Sequence, residues 1–220
     1  MSGDDVRIKV CGLTQVDEAV ACLAAGADWI GLNFHAHSPR FVTLARGAEI
    51  MAALPSPACA VGLFVDRPAS EVSDAAAALG LSAVQLHGNE PPEYLQALDH
   101  LWIIKAFRLG RAADVHAMSD YLVQAGELGR MPDAVLIDAQ VDGLVGGTGT
   151  LVADALLPLL PAFPRLILAG GLTPKNVAGR LRRVRPWMVD VASGVESSPG
   201  RKDLTKVRAF IHAAKSTRHA

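Results

Sequence analysis

The sequence lacks most of the features that would tie a chain to a membrane, a nucleic acid or an oxidising compartment. Its 220 residues include three cysteines, Cys11, Cys22 and Cys59, which show no CxxC or Cys/His spacing, so we expect neither disulfides nor zinc. The formal net charge of -1 lacks the basic excess that nucleic-acid or membrane-surface binding requires. No apolar stretch reaches spanning length and no signal peptide is visible. These absences favour a soluble, cytoplasmic protein that binds phosphate, if at all, locally.

Two nucleotide-binding patterns are missing as well. The first candidate strand ends in CGLT, without the GxGxxG fingerprint, and no GxxxxGK[ST] loop occurs anywhere in the chain. Their absence disfavours a doubly wound open sheet.

What the sequence does contain is a regular alternation of apolar runs of strand length with longer amphipathic segments rich in Ala and Leu. Eight such units are present, and their strands are predicted at residues 7–11, 29–34, 59–65, 83–87, 102–107, 134–138, 166–169 and 188–192. No linker or low-complexity segment divides the chain. We therefore predict an α/β protein with a single (β/α)8 TIM-barrel domain over residues 1–220, with a frayed tail at 215–220.

Polar residues interrupt the predicted strands at inward-facing positions. Because strand side chains alternate between faces, Lys9 and Cys11 share the face opposite to Ile8 and Val10, and Gly12 then leaves room for a close approach. Cys11, Asn33, His87, Asp138 and Ser193 lie at or just beyond strand ends, whereas Lys9, Gln85, Lys105 and Asp190 lie deeper. Barrel enzymes keep their chemistry at the carboxyl ends of the strands, and buried charges must pair or bind a ligand. The pattern predicts a structural ion pair between Lys9 and Asp190 and chemistry at Cys11 and Asp138.

Glycines are concentrated in three successive loops late in the chain, VGGTG, AGGL and ASGVE. Glycine lets backbone N–H groups approach an anion closely, and the last two loops of a barrel commonly bind phosphate. We therefore predict a phosphate-monoester site formed by Gly147, Thr148, Gly149, Gly170, Gly171, Ser193 and Gly194.

The loop after the second strand, NFHAHSPRFV, carries Arg40, whose planar fork suits a carboxylate. His35 and His37 have no third histidine or carboxylate at useful spacing, so we interpret them as solvated and predict no metal site.

Several motifs together resemble the phosphoribosylanthranilate isomerase family of tryptophan biosynthesis. They are KVCGLT, NF…SPRFV, VGLFVD, VQLHGNE, LIDA, GGTG, LAGGL and VDVASGVE, in that order over nearly the whole chain. The resemblance implies that Cys11 is a general base, Asp138 a general acid and Arg40 a ligand of the anthranilate carboxylate. One departure is visible, since family members often continue GGTG into Phe-Asp-Trp, whereas this chain continues with TLVAD. The departure concerns local packing of the helix that follows.

The implied reaction is an Amadori rearrangement of N-(5-phosphoribosyl)anthranilate to 1-(2-carboxyphenylamino)-1-deoxyribulose 5-phosphate. It needs no cofactor and no obligatory protein partner, only a phosphorylated small molecule, and Lys9, Gln85, His87 and Asp190 are possible supporting residues. Two alternatives stay open: another sugar-phosphate isomerase or lyase on the same barrel, and a non-catalytic barrel that binds a phosphometabolite.

Overall fold

Eight parallel strands close into a barrel. The computed structural model describes residues 6–55, 59–81, 83–139 and 152–217. Each strand pairs with the next one along the chain, and the first pairs with the eighth to complete the ring. The strands are β1 (Arg7–Cys11), β2 (Trp29–Asn33), β3 (Cys59–Phe64), β4 (Ala83–Leu86), β5 (Trp102–Leu109), β6 (Ala134–Ala139), β7 (Leu166–Leu168) and β8 (Met188–Val191). The predicted (β/α)8 fold is confirmed.

Helices follow most of the strands. They are α1 (Val16–Ala24), α2 (Leu44–Ala53), α3 (Ala69–Leu79), α4 (Ala112–Glu127), α5 (Val177–Val184) and α6 (Leu204–Lys215). Within the described ranges, no helix is both long enough and apolar enough to cross a membrane. The predicted tail overlaps the end of α6 at Lys215, and residues 218–220 lie outside the described residues.

Two units carry a short 3-10 helix where a regular helix was expected. Pro92–Leu98 follows β4 and Asp154–Leu159 follows β6. The first begins with consecutive prolines at positions that a helix start tolerates, whereas the second contains Pro158, which cannot donate the backbone hydrogen bond that an α-helix interior needs. The second segment begins at Asp154, the last residue of the TLVAD stretch, and Arg180 and Arg183 both donate to the Asp154 carboxylate.

The side chains of each strand divide between two apolar layers. On β6, Ala134 and Leu136 belong to the layer inside the barrel, whereas Val135 and Ile137 pack outward against the helices. Asp138 continues the inward series because it follows Leu136 by two residues. On β1, Ile8 and Val10 likewise pack outward. The predicted strand phase, which turns the alternate residues of both strands inward, is therefore confirmed.

Three tryptophans fill the amino-terminal end of the barrel. The ring centroids of Trp29, Trp102 and Trp187 lie 5.0 to 6.1 Å apart, and all three pack against the inner layer. This end is thus filled by apolar side chains, while the opposite end carries the polar ones.

A small hairpin that was not predicted lies between β8 and α6. Its strands are β9 (Glu196–Ser198) and β10 (Arg201–Lys202). The buried carboxylate of Glu18 on α1 accepts hydrogen bonds from Arg201 Nε at 2.7 Å and from the Lys202 N–H at 2.9 Å. The hairpin is therefore attached to the first helix, with its residues Glu196 and Lys202 buried.

Candidate active site

A cavity of about 320 Å³ opens at the carboxyl ends of the strands. The polar residues predicted at inward positions meet there, because Cys11, Asn33, Gln85, His87, Asp138 and Asp190 all line it. His35 and His37 also line the cavity, with His37 exposed and His35 half-buried. The predicted gathering of polar residues at this end of the barrel is confirmed.

The first and last strands share a buried ion pair. Lys9 Nζ lies 2.9 Å from Asp190 Oδ2, and β1 and β8 place these two residues directly opposite each other. Lys9 is fully buried and donates a second hydrogen bond to Gln85 Oε1, also at 2.9 Å. Burial disfavours its charge, but Asp190 and Cys11 outweigh this and raise the pKa of Lys9. The predicted pair is present and Lys9 is an ammonium.

Cys11 lies at the carboxyl end of β1, above Lys9. Burial raises the pKa of its thiol, and the neighbouring Lys9 ammonium acts in the opposite direction. Gly31 is its partner on β2, and a Cβ at Gly31 would lie only 2.6 Å from Cys11 Sγ. The glycine therefore makes the space that the thiol occupies, a requirement that was not predicted.

Asp138 lies at the carboxyl end of β6 and is 9 % exposed. Burial, with a smaller contribution from Asp190, raises the pKa of its carboxyl group to about 6. A Cβ at Gly170, which has a φ of +76°, would lie 2.5 Å from Asp138 Oδ1. Gly170 thus makes room for this carboxylate in addition to lining the cavity. A carboxyl group with such a pKa can carry a proton near neutral pH.

His87 lies between Gln85 and Asp138. Its Nδ1 is 2.8 Å from Gln85 Nε2, and its Nε2 is 3.7 Å from Asp138 Oδ2. Burial lowers the pKa of the imidazole to about 3, and Arg108 and Lys9 act in the same direction. The ring is therefore neutral.

Lys105, the other deep lysine, points outward rather than inward as predicted, because it alternates on β5 with Ile104 and Ala106 of the inner layer. Its Nζ lies 2.6 Å from Glu90 Oε2 and donates to the Gly88 carbonyl at 2.9 Å. Glu90 in turn accepts hydrogen bonds from the N–H groups of Gly88 and Asp66. This cluster fixes the loop that follows His87, so the expectation that Lys105 must pair is confirmed.

Arg40 is held by a carboxylate of the protein itself. Its Nε and Nη2 donate to Glu196 at 2.8 and 2.7 Å, and Lys202 Nζ lies 2.9 Å from the same carboxylate. Gly12 has a φ of +75°, and any Cβ there would collide with Arg40 Cδ. The close approach predicted at Gly12 is therefore that of the Arg40 side chain. Glu196 belongs to the ASGVE motif, but sequence reasoning missed it because nothing local shows that the hairpin returns to Arg40.

Part of the predicted phosphate site is described. Gly170, Gly171, Ser193 and Gly194 line the cavity at the ends of β7 and β8. A side chain at Gly194 would collide with the Leu172 carbonyl, so this glycine allows the two loops to pack together. The predicted residues Gly147, Thr148 and Gly149 lie outside the described residues.

A closed (β/α)8 barrel whose polar side chains meet in a cavity at the carboxyl ends of the strands is the arrangement of a barrel enzyme. Sequence comparison identifies the family. The model of the family described as N-(5'phosphoribosyl)anthranilate (PRA) isomerase matches residues 8–213, and the chain belongs to that family.

Individual relatives agree with the family assignment. An N-(5'-phosphoribosyl)anthranilate isomerase from Geobacter sulfurreducens is 44% identical over 210 residues, which cover 96% of this chain and 98% of the relative. One from Pseudomonas paraeruginosa is 44% identical over 212 residues, with 96% of each chain covered. Like its relatives, the chain is an enzyme of the isomerase class.

Solved structures show the same fold. Phosphoribosyl anthranilate isomerase from Thermotoga maritima superimposes with a TM-score of 0.85 at 34% identity, over 96% of this chain and 98% of that one. A second structure, with a TM-score of 0.80, 32% identity and the same coverage, is a phosphoribosyl anthranilate isomerase in complex with reduced 1-(o-carboxyphenylamino)-1-deoxyribulose 5-phosphate.

Proposed function

We propose that this isomerase converts N-(5-phosphoribosyl)anthranilate into 1-(2-carboxyphenylamino)-1-deoxyribulose 5-phosphate in tryptophan biosynthesis, with Cys11 as general base and Asp138 as general acid. The observation that carries the assignment of roles is that both side chains end in one cavity, each in a space that a glycine leaves for it. The deeper inward charges Lys9 and Asp190 pair with each other.

The reaction needs one proton donated and one removed. Asp138, when protonated, donates to the ring oxygen of the ribose as the ring opens to a Schiff base. Cys11, as thiolate, removes the proton from C2, and the resulting enolamine tautomerises to the ketone. The substrate gains one proton and loses one, so the step requires no oxidant or reductant.

Near neutral pH, the proposed acid and base together hold one proton. The pKa of Asp138 is about 6 and that of Cys11 is raised above that of an ordinary thiol, so the proton resides mainly on sulfur near neutral pH. The productive form, with a thiolate and a carboxylic acid, holds the same number of protons. Its fraction is therefore constant between the two pKa values. Lys9 increases this fraction because its ammonium favours the thiolate.

Arg40 is proposed to bind the anthranilate carboxylate. Glu196 engages Nε and Nη2, and this fixes the plane of the guanidinium at the edge of the cavity. A guanidinium carries five N–H donors, so its fork can serve Glu196 and a substrate carboxylate together. Burial disfavours the charge of Glu196, but Arg40 and Lys202 outweigh this and lower its pKa, which keeps the carboxylate ionised.

The phosphate is proposed to bind at Gly147, Thr148, Gly149, Gly170, Gly171, Ser193 and Gly194. The support comes from the four described members, which line one side of the cavity on adjacent strands. Soaking crystals with phosphate tests this site, and anion density that appears only elsewhere at saturation would contradict it. A small phosphorylated substrate, no cofactor and a cytoplasmic location complete the proposal.

The test of the proposed function is a fluorescence assay with freshly prepared phosphoribosylanthranilate. Turnover that disappears in both Cys11→Ser and Asp138→Asn supports it. Binding of substrate without turnover would favour the phosphometabolite-binding barrel, and turnover of a different sugar phosphate alone would favour another isomerase or lyase.

A further inference from the structure

Two hydrogen bonds and one longer polar contact form a series from Lys9, beside the proposed base, to Asp138, the proposed acid. Lys9 Nζ donates to Gln85 Oε1 at 2.9 Å, Gln85 Nε2 lies 2.8 Å from His87 Nδ1, and His87 Nε2 faces Asp138 Oδ2 at 3.7 Å. Lys9, Gln85 and Asp138 are buried, and the side chain of His87 is 14% exposed. This series of side chains is thus mostly shielded from bulk water.

Lys9 determines which atom is the donor and which the acceptor in each contact of this series. An ammonium has donors only, so the atom of Gln85 that faces Lys9 must be its carbonyl oxygen. The Gln85 NH2 group must then face His87 and donate to Nδ1. A ring nitrogen that accepts a hydrogen bond carries no proton, so the proton of the neutral imidazole lies on Nε2.

We propose that Gln85 is a positioning residue that holds His87 in the Nε2–H tautomer, so that a neutral N–H donor faces Asp138. This inference rests on the proposed role of Asp138 as the acid. Charged and titratable groups that act on His87 include Arg108, Lys9, Lys105, His35 and Asp138. Each of these groups except Asp138 disfavours a second proton on the ring.

The donor at Nδ1 matters for the acid because it leaves that nitrogen no acceptor for a second proton, so the ring beside Asp138 stays neutral. An imidazolium beside Asp138 would stabilise the carboxylate and lower its pKa, because opposite charges at such a distance favour the ionised form. A neutral ring does this far less, so the carboxyl group keeps its proton to higher pH. Gln85 thereby supports proton donation without touching the reacting atoms.

The direct test is NMR of the full chain with ¹⁵N-labelled histidine rings, with the His87 signals assigned by their loss in His87→Asn. We expect a protonated, pyrrole-type Nε2 and an unprotonated Nδ1 that stay unchanged between about pH 5 and pH 8. A proton on Nδ1, or a ring that titrates in this range, would overturn the proposal. This measurement needs neither activity nor a Gln85 variant.

The second test replaces the amide by a carboxylate in Gln85→Glu, with Gln96→Glu as the matched control. Gln96 is exposed, does not line the cavity and donates to the Leu128 carbonyl. We expect Gln85→Glu to add a second proton to the His87 ring, at Nδ1, because a carboxylate there accepts from the imidazolium. The imidazolium should shift the acid limb of kcat/KM down by about one pH unit and lower its plateau about tenfold. Gln96→Glu should change none of these.

The outcomes separate this inference from the proposed function. A folded Gln85→Glu protein with an unchanged tautomer, or with Nδ1 protonated but an unmoved acid limb, would refute the positioning role. Absence of turnover in the wild-type protein would refute the function, while the NMR spectrum would still report the tautomer.

Discussion

Gly31→Ala probes the placement of the proposed base without altering it chemically. Gly31 lies opposite Cys11 on β2, and an added Cβ would lie 2.6 Å from Sγ and 3.1 Å from the Cys11 Cα. Ordinary van der Waals contact begins near 3.4 Å, so the thiol must move by about 0.8 Å to make room. Both residues lie in the buried wall of the barrel, so neither strand can move away freely.

A displacement of about 1 Å from a productive geometry costs about 100-fold in rate. We therefore expect Gly31→Ala to lower kcat about 100-fold, with a small change in KM, when substrate consumption is followed by fluorescence. Overpacking should also lower the free energy of unfolding by about 1–3 kcal/mol, which denaturant unfolding measures.

Gly179→Ala is the matched control. Gly179 lies in α5, and a Cβ there meets no atom within 4 Å. Gly179→Ala should leave kcat unchanged and raise the free energy of unfolding by about 0.5–1 kcal/mol, because alanine favours a helix more than glycine does. A folded Gly31→Ala enzyme with kcat within about threefold of wild type would show that the position of the Cys11 thiol does not limit the reaction.

Three further predictions concern the division of roles. Cys11→Ser and Asp138→Asn should each lower kcat by roughly 10² to 10⁴ while substrate binding persists, and near-normal turnover in either would remove that residue from its role. Arg40→Ala should raise KM more than it lowers kcat, and Glu196→Gln should do so more weakly because the guanidinium loses only its orientation; steady-state kinetics separate the two parameters. In a pH series, kcat/KM should rise as pH increases through about 6, because Asp138 then loses its proton and the two groups together hold one. It should fall again as pH exceeds the raised pKa of Cys11. A profile that declines from about pH 6 upward would contradict this proton count.

The fold was readable from the sequence because its signals are local and repeated. Each strand is a mostly apolar run, and the eight runs recur along the whole chain with a helix-like segment after each. The inward phase of Lys9 and Asp138 follows from strand alternation alone. The second 3-10 segment was missed because helical periodicity shows which residues are apolar, whereas Pro158 removes a backbone donor that would extend the turns.

The surroundings of the site were less predictable, since they depend on contacts between distant parts of the chain. Glu196 meets Arg40 across 156 positions of sequence, and only the hairpin geometry brings them together. The roles of Gly31 and Gly170 likewise depend on contacts with distant parts of the chain. In the sequence each is one glycine among 20, and its reason, a side chain on a neighbouring strand, appears only when the barrel closes.

The deep lysine of the first strand explains why the polar residues of this barrel form one connected set. Its pairing with Asp190 offsets the cost of burying its charge, which would otherwise be several kcal/mol. The same ammonium favours the Cys11 thiolate and orients Gln85, whose amide then determines which nitrogen of His87 carries the proton. A neutral polar residue in place of Lys9 would leave the direction of the Gln85 amide undetermined. The Lys9 charge therefore acts on both proposed catalytic groups: directly on Cys11 and Asp138, and also on Asp138 through the two neutral side chains of Gln85 and His87.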